Sequence, residues 1–222
     1  MTYTDKLNTL QIDTEEIRHA DEILDGVILS DGHLCRVSNI HAAFDISLSG
    51  DQHIDWIYRI KDSLSYLGIP MINHDPKISN AVSHGMPYTK LRLISPRSEI
   101  LFIAHNRWYM NKIKFVPEDF ILTPISLANW FMGDGSSTYN NQNAMHGVRI
   151  NLSTEKFSSH DLDLLEAQLA KFEIYDIARV LCECGGYRLM IKTDFSSKFM
   201  DVVEPHMVTS FKYKIKRTQW QP

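Results

Sequence analysis

Apolar residues along the chain fall into two periods, and the periods alternate. From Ala43 to Ser49 the alternation is strict, with Phe44, Ile46 and Leu48 on one side and Asp45, Ser47 and Ser49 on the other. That is a half-buried strand, and with Leu34–Ser38 before it and a turn at Asn39 it predicts a hairpin. From Asp51 to Leu67 the period lengthens to that of a helix, through Ile54, Ile57, Leu64 and Leu67, and Gly68 and Pro70 stop it. An irregular stretch rich in Asn, Pro and His follows. Thr89–Ile94 alternates again, with Leu91 and Leu93 inward and Lys90 and Arg92 outward. A helix at about 97–109 is expected next.

The same order then recurs. Val148–Ser153 is a strand with Arg149, Asn151 and Ser153 outward, preceded by a polar stretch, 136–143, that is expected to be a loop. Ser158 or Ser159 caps a helix carrying Leu162, Leu165, Leu169 and Phe172. Ile177–Cys182 and Tyr187–Lys192 form a hairpin around Gly185-Gly186, and a last helix is expected at about 194–206.

Each series opens on a short apolar helix with the same ending. Leu24-Asp-Gly-Val-Ile-Leu-Ser-Asp31-Gly32 and Leu127-Ala-Asn-Trp-Phe-Met-Gly-Asp134-Gly135 both close on a small residue, an aspartate and a glycine. These helices are expected at roughly 20–31 and 123–134. Thr123 and Pro124 supply a cap and a first residue for the second, and Gly135 a stop. Trp130 and Phe131 read as core. An acid at a helix C-terminus opposes the dipole, which favours cations there; a metal ion beside it would make that placement natural.

Length and composition fit this division. The 222 residues, 44% apolar, allow two domains of about 100 residues each. No run approaches the roughly 18 apolar residues of a membrane span, and no secretory signal is visible. Three cysteines are too sparse for a disulfide scaffold and suit a reducing compartment. The net charge of −4 argues mildly against nucleic acid, but the first 25 residues alone carry −5 and the remainder is about neutral. Bases gather in 86–116 and in 207–218, the latter with Lys212, Lys214, Lys216, Arg217 and no acid.

Together the two motifs, their separation and the strand pattern resemble a LAGLIDADG homing endonuclease of the single-chain, two-motif type. Leu122-Thr-Pro-Ile-Ser-Leu-Ala-Asn-Trp-Phe-Met-Gly-Asp-Gly135 carries most of the resemblance, and Tyr213-Lys214-Ile215 is similar to a late segment of the family. Asp25 stands where the family has a small residue, and Asn129 replaces the second-half glycine.

The resemblance implies an α+β fold of two pseudo-symmetric αββαββα halves, with packed central motif helices and antiparallel DNA-binding sheets. The segments are an N-terminal arm (1–19), a first half (20–110), a linker (111–122) and a second half with the basic tail (123–222). The implied activity is site-specific double-strand DNA cleavage that leaves 3′ overhangs. An RNA-binding intron maturase and a non-catalytic DNA-binding regulator are the alternatives on the same fold.

Asp31 and Asp134 would bind Mg²⁺ (or Mn²⁺), with the Ser30 and Gly133 carbonyls as extra ligands. Lys114 and Lys214 would be the basic residues of the active site, with Lys112 the alternative to Lys114. Hard oxygen donors, one or two carboxylates per ion, favour Mg²⁺ over zinc. Outward polar and basic residues are the candidates for DNA contact, since Lys and Arg meet phosphates and guanine while Asn and Gln meet adenine. They are Arg36, Ser38, Ser47, Lys90 and Arg92 in the first half, and Asn140, Asn141, Gln142, Arg149, Asn151, Arg188, Lys192 and Lys212 in the second. The expected partner is double-stranded DNA with a long, near-unique target site, met by a monomer; intron RNA is the further partner and no membrane is involved. An intracellular setting is expected, either an organelle or prokaryotic cytoplasm.

Overall fold

The computed structural model describes residues 14–83, 85–140, 147–183 and 185–217. Contacts divide the chain into two compact units, Met1–Trp108 with Val208–Ser210, and Tyr109–Met207 with Phe211–Pro222.

The first unit runs α1 (Thr14–Leu29), β1 (His33–Arg36), β2 (Ala42–Ser49), α2 (Ile54–Tyr66), β3 (Lys77–Ser83), β4 (Met86–Ile94) and α3 (Glu99–Trp108). Helix α1 starts earlier than expected because its apolar stripe does. Ile17, Ala20, Leu24, Val27 and Ile28 recur at helical spacing and are buried. Apart from Asp25, the charged residues between them line the other face, where Arg18 meets Glu22 one turn on at 3.9 Å. The four strands form an antiparallel sheet in the order β1-β2-β4-β3. Its inner face, Leu34, Phe44, Ile46, Leu91 and Leu93, is fully covered. Helix α1 packs on α2, and α3 on β1 and β2.

The departure at Asp25 has a structural explanation. Its carboxylate accepts Nη1 of Arg107 at 3.0 and 3.1 Å and the indole N–H of Trp108 at 2.9 Å. All three side chains are largely shielded from solvent, so the motif helix is bolted to the last turn of α3.

The second unit opens on a two-stranded hairpin, β5 (Tyr109–Met110) with β6 (Ile113–Lys114). Asn111 and Lys112 fill its turn with φ of 51° and 67°, the left-handed pair that a tight hairpin requires. Then come α4 (Pro124–Asp134), β7 (Gly135–Asn140), β8 (Gly147–Leu152), α5 (Ser159–Ala170), β9 (Ile177–Leu181), β10 (Tyr187–Ile191) and α6 (Thr193–Val203). Two short 3₁₀ turns, Glu204–His206 and Thr209–Lys214, end the described chain. The sheet order is β7-β8-β10-β9, position for position that of the first sheet.

Thr123 and Ser126 form a reciprocal capping box at the start of α4, with Pro124 at the first helical position. Asn129, the other departure, is fully buried and donates its amide to the carbonyl of Ile125 one turn back, at 2.8 Å. Trp130 and Phe131 are fully buried, as expected. Ser158 caps α5, with Asp161 as the reciprocal partner in a capping box; Asp161 also accepts the Val116 amide at 2.7 Å, while Gln168 donates to the Phe120 carbonyl at 2.7 Å. The segment before α4 is thereby tied to α5.

Each unit is αββαββα, an α+β arrangement as the repeat predicts. Two further expectations need correction. The irregular stretch before Thr89 contains β3, paired with β4 from Lys77↔Arg92 to Ser83↔Met86. The polar loop from Ser136 is β7 as far as Asn140, paired from Gly135↔Leu152 to Asn140↔Gly147. Residues 1–13 of the expected arm, and Cys184, lie outside the described residues. No described helix is long and apolar enough to cross a membrane.

Removing one partner of a buried ion pair leaves the other charge desolvated. Asp25→Ala is therefore expected to lower the unfolding free energy by about 3–5 kcal/mol, read from urea unfolding. A loss below about 1 kcal/mol, the ordinary effect of a surface change, would contradict the bolt.

Candidate nucleic-acid interface and carboxylate sites

Both motif helices end in a reversal, and that reversal places the aspartates. In the first, the amide of Gly32 donates to the Val27 carbonyl at 2.8 Å, and the Ser30 hydroxyl to the same carbonyl at 3.1 Å. In the second, the amide of Gly135 returns to the Phe131 carbonyl. The chain then leaves directly as a strand. A Cβ on Gly32 would lie 2.6 Å from the Val27 oxygen; one on Gly135 would lie 2.5 Å from the Phe131 oxygen and 2.1 Å from its ring. Gly135 stops the helix as expected, and with φ of −88° it is close approach to the helix, not a left-handed backbone, that excludes a side chain there. Each aspartate is thus held at a helix-to-strand junction, Asp31 exposed and Asp134 half-buried.

The dipole problem at Asp134 is met by Lys214. Its ammonium donates to the carbonyls of Phe131, Met132, Gly133 and Gly135 at 3.1, 2.6, 3.4 and 2.7 Å. It also lies 5.1 Å from the centroid of the Phe211 ring. A cation on the last carbonyls of a helix satisfies acceptors that have no partner within it. The rest of the tail is strapped down similarly. Lys216 donates to the Ser137 carbonyl at 2.9 Å and covers the Tyr139 ring, and Arg217 pairs with Asp201 at 2.7 Å and with Glu204. Lys212 is exposed. Lys112 occupies the left-handed turn of β5–β6, while Lys114 is half-buried on β6 opposite Tyr109.

The donor set suits a hard divalent cation. Each junction offers one carboxylate with main-chain oxygens beside it, and the described residues contain no group of three or more His, Cys, Asp or Glu that could cage a metal. Mg²⁺ binds in that way, keeping waters and substrate oxygens in its shell, whereas structural zinc requires four protein ligands.

Register places the other candidates. Ser47, Arg92 and Lys77 form one row across the outer face of the first sheet, and Ser49, Lys90 and Ser79 the next. Arg92 donates through Nε and Nη2 to the two carboxylate oxygens of Asp45, at 2.9 and 2.6 Å. Arg36 does not share this face. It lies opposite buried Ala42, with its guanidinium 5.4 Å from the Phe102 ring of α3, and donates to Ser38 and Asn39 in the exposed turn.

On the second sheet, Ser136 faces Asn151 and Thr138 faces Arg149, with Arg188 two positions along from Met190, the neighbour of Asn151. Arg188 pairs with Glu155 at 2.7 Å, and Lys192, just beyond β10, with Asp176 at 2.7 Å. Asn140 ends β7; its side chain, with Asn141 and Gln142, lies outside the described residues.

The sequence reading missed Lys77 and Ser79, because β3 is exposed along nearly its whole length and shows no alternation of burial. It also gave Asp45 no partner. Only the register, which sets Asp45 two residues along the face from Ser47, could have paired it with Arg92.

Comparison with known proteins agrees with this architecture. The model of the LAGLIDADG DNA endonuclease family matches residues 21–199. Uncharacterized protein MJ1098 of Methanocaldococcus jannaschii is 24% identical over 208 residues, covering 94% of this chain and 76% of its own length. Cytochrome b mRNA maturase bI2 of Debaryomyces hansenii is 25% identical over 171 residues, 75% of this chain and 61% of its own. Among solved structures, the homing endonuclease I-WcaI bound to its DNA recognition sequence superposes with a TM-score of 0.75 at 18% identity, covering 96% of this chain and 98% of that one. The LAGLIDADG homing endonuclease I-GzeII in complex with its DNA target gives 0.52 at 13%, covering 87% and 86%.

Because a methyl group has no room at the reversal, Gly135→Ala is expected to destabilise the protein by about 1–3 kcal/mol, as overpacking does. Thermal unfolding followed by circular dichroism measures it. An unchanged melting temperature would show that the close approach does not constrain the junction.

Proposed function

The chain belongs to the LAGLIDADG DNA endonuclease family, and from that premise we propose that it is a site-specific double-strand DNA endonuclease. It hydrolyses one phosphodiester bond on each strand with a divalent metal and leaves 3′ overhangs. The observation that carries this reading is the duplicated junction: each αββαββα unit presents one aspartate where its motif helix turns into its sheet, fixed by a glycine that admits no side chain.

Asp31 and Asp134 would hold Mg²⁺ (or Mn²⁺), with the carbonyls of Ser30 and Gly133 beside them. Such an ion, when bound, supplies a nucleophilic water at neutral pH and neutralises charge on the phosphate and the leaving oxygen. The carboxylates orient that chemistry toward one strand each. Lys214 fixes the end of α4 through four carbonyls and brings positive charge toward a developing phosphorane. Lys114 is its counterpart, with Lys112 the alternative.

The outer faces of the two sheets are the DNA-binding surface. Ser47, Lys90, Arg92, Arg149, Asn151 and Arg188 are its described members, with Ser38 in the β1–β2 turn and Lys192 and Lys212 at its margin. A polar, basic β-surface of this kind meets phosphates and base edges in the major groove. We take the chain to act as a monomer on a long, near-unique duplex site, as in intron homing.

The likeness to a maturase supports a second reading, in which the fold binds intron RNA and assists splicing. The aspartates separate the two. Asp31→Asn and Asp134→Asn should each reduce double-strand cleavage below detection while leaving DNA affinity within about threefold, since neither change removes a phosphate-binding base. Plasmid cleavage and band-shift titration measure these. Undiminished cleavage in both variants, or splicing activity that survives both with no cleavage by the parent protein, would overturn the nuclease reading.

A further inference from the structure

We infer that Asp45 is a positioning residue that fixes Arg92 as a reader of guanine in the major groove. The inference rests on the nuclease reading and names what that arginine recognises.

An exposed arginine is long and mobile, and it meets any phosphate it can reach. Arg92 is held differently. The register sets Ser47 directly across from it and Asp45 on the diagonal of the same outer face. Asp45 takes the side edge of the guanidinium, Nε at 2.9 Å and Nη2 at 2.6 Å, one N–H for each carboxylate oxygen. Such fork-to-fork pairing fixes the plane of the group as well as its position. The end edge, Nη1 with the second hydrogen of Nη2, has no partner among the described residues and belongs to an exposed side chain. Two parallel N–H donors on one edge match the O6 and N7 acceptors of guanine.

Charge points the same way. With a carboxylate bound, the pair is close to neutral and gains little from the diffuse field of the backbone, so its remaining affinity is directional. Lys77, across from Arg92 on the next strand, has no such brace among the described residues and would serve as the phosphate contact of that row.

The second sheet also pairs an arginine with a carboxylate, but without the two-oxygen fork. Arg188 donates Nε and Nη2 to one oxygen of Glu155, at 2.9 and 2.7 Å. Burial pushes the Glu155 carboxyl up, but its own amide, Arg188 and the Cys182 thiol outweigh this and hold it below the ordinary glutamate value. That carboxylate is therefore ionised wherever the protein works near neutral pH.

The test is selection from a randomised duplex library by cleavage, with the parent protein, Arg92→Lys, Arg92→Ala and Asp45→Asn. The parent should select guanine at one base pair that both arginine variants cease to discriminate, by roughly 5- to 150-fold, the range for one bidentate contact. Lysine keeps the charge and lacks the fork, so it should fail as alanine does. Asp45→Asn should lose the preference at that same base pair, and Asp45→Glu should restore part of it. If Arg92 is a phosphate clamp, Arg92→Lys retains the full selection and Arg92→Ala weakens all sequences alike, with the salt slope falling by about one; that overturns the inference. A uniform gain in affinity for Asp45→Asn, with base preference intact, overturns the bracing role. A parent protein that cleaves no sequence overturns the nuclease reading and this inference with it.

Discussion

The geometry depends on how two helices end. An α-helix leaves its last carbonyls without internal partners, and here the chain must both satisfy some of them and turn at once into a strand. The amide of Gly32 folds back to the Val27 carbonyl, and that of Gly135 closes the last turn on Phe131 before leaving as a strand. No other residue type fits, because a Cβ at either position would collide with helix backbone. The aspartate that precedes each glycine has no freedom to be elsewhere. The small-Asp-Gly ending is thus a mechanical requirement of the reversal as well as a chemical signature.

The two ends are finished differently. In the first unit Ser30 turns its hydroxyl back onto the carbonyls of Gly26 and Val27, at 3.3 and 3.1 Å, and Asp25 anchors the helix laterally to α3. In the second, a lysine from the far end of the chain spans four carbonyls, and the segment carrying it is strapped along β7. The basic tail, where bases gather with no acid, is mostly engaged with the protein itself. Lys214 and Lys216 are held by carbonyls and aromatic rings, which fix their position and leave their charge, while Arg217 is paired with Asp201 and Glu204. With an acidic total of −4, affinity for DNA rests on placement more than on field strength.

Much of this was legible in the residues. Strict alternation in Phe44–Leu48 and Val148–Leu152 located the inner strands, because one side of each is buried and the other wet. Caps and stops located most helices, Thr123-Pro124 and Ser158 among them. The duplication was visible because a buried motif helix needs the same small and apolar residues in both copies. What was hidden was whatever burial does not pattern. Strand β3 has no core face of its own, and the polar run Ser136–Asn140 is a strand only because β8 lies beside it. Helix α1 was placed too late because its first turns are acidic, although Ile17 and Ala20 continue its stripe. For the site, the paired motifs singled out the two aspartates and the resemblance suggested Lys214, but neither revealed that Lys214 caps a helix, that Arg36 lies against α3, or that Arg92 and Arg188 are already paired. Those are facts of register and rotamer.

The central claim is that two junctions, each holding one carboxylate, make a metal-dependent cutter of duplex DNA. The most direct measurement is cleavage of a randomised double-stranded library in Mg²⁺ and in Ca²⁺, with the ends sequenced. The account predicts breaks at one long site, staggered to leave 3′ overhangs, in Mg²⁺ and not in Ca²⁺, which is larger and tolerates looser coordination. Enrichment of a bound sequence with no cleavage in either ion would contradict it and leave a protein that binds DNA without cutting it.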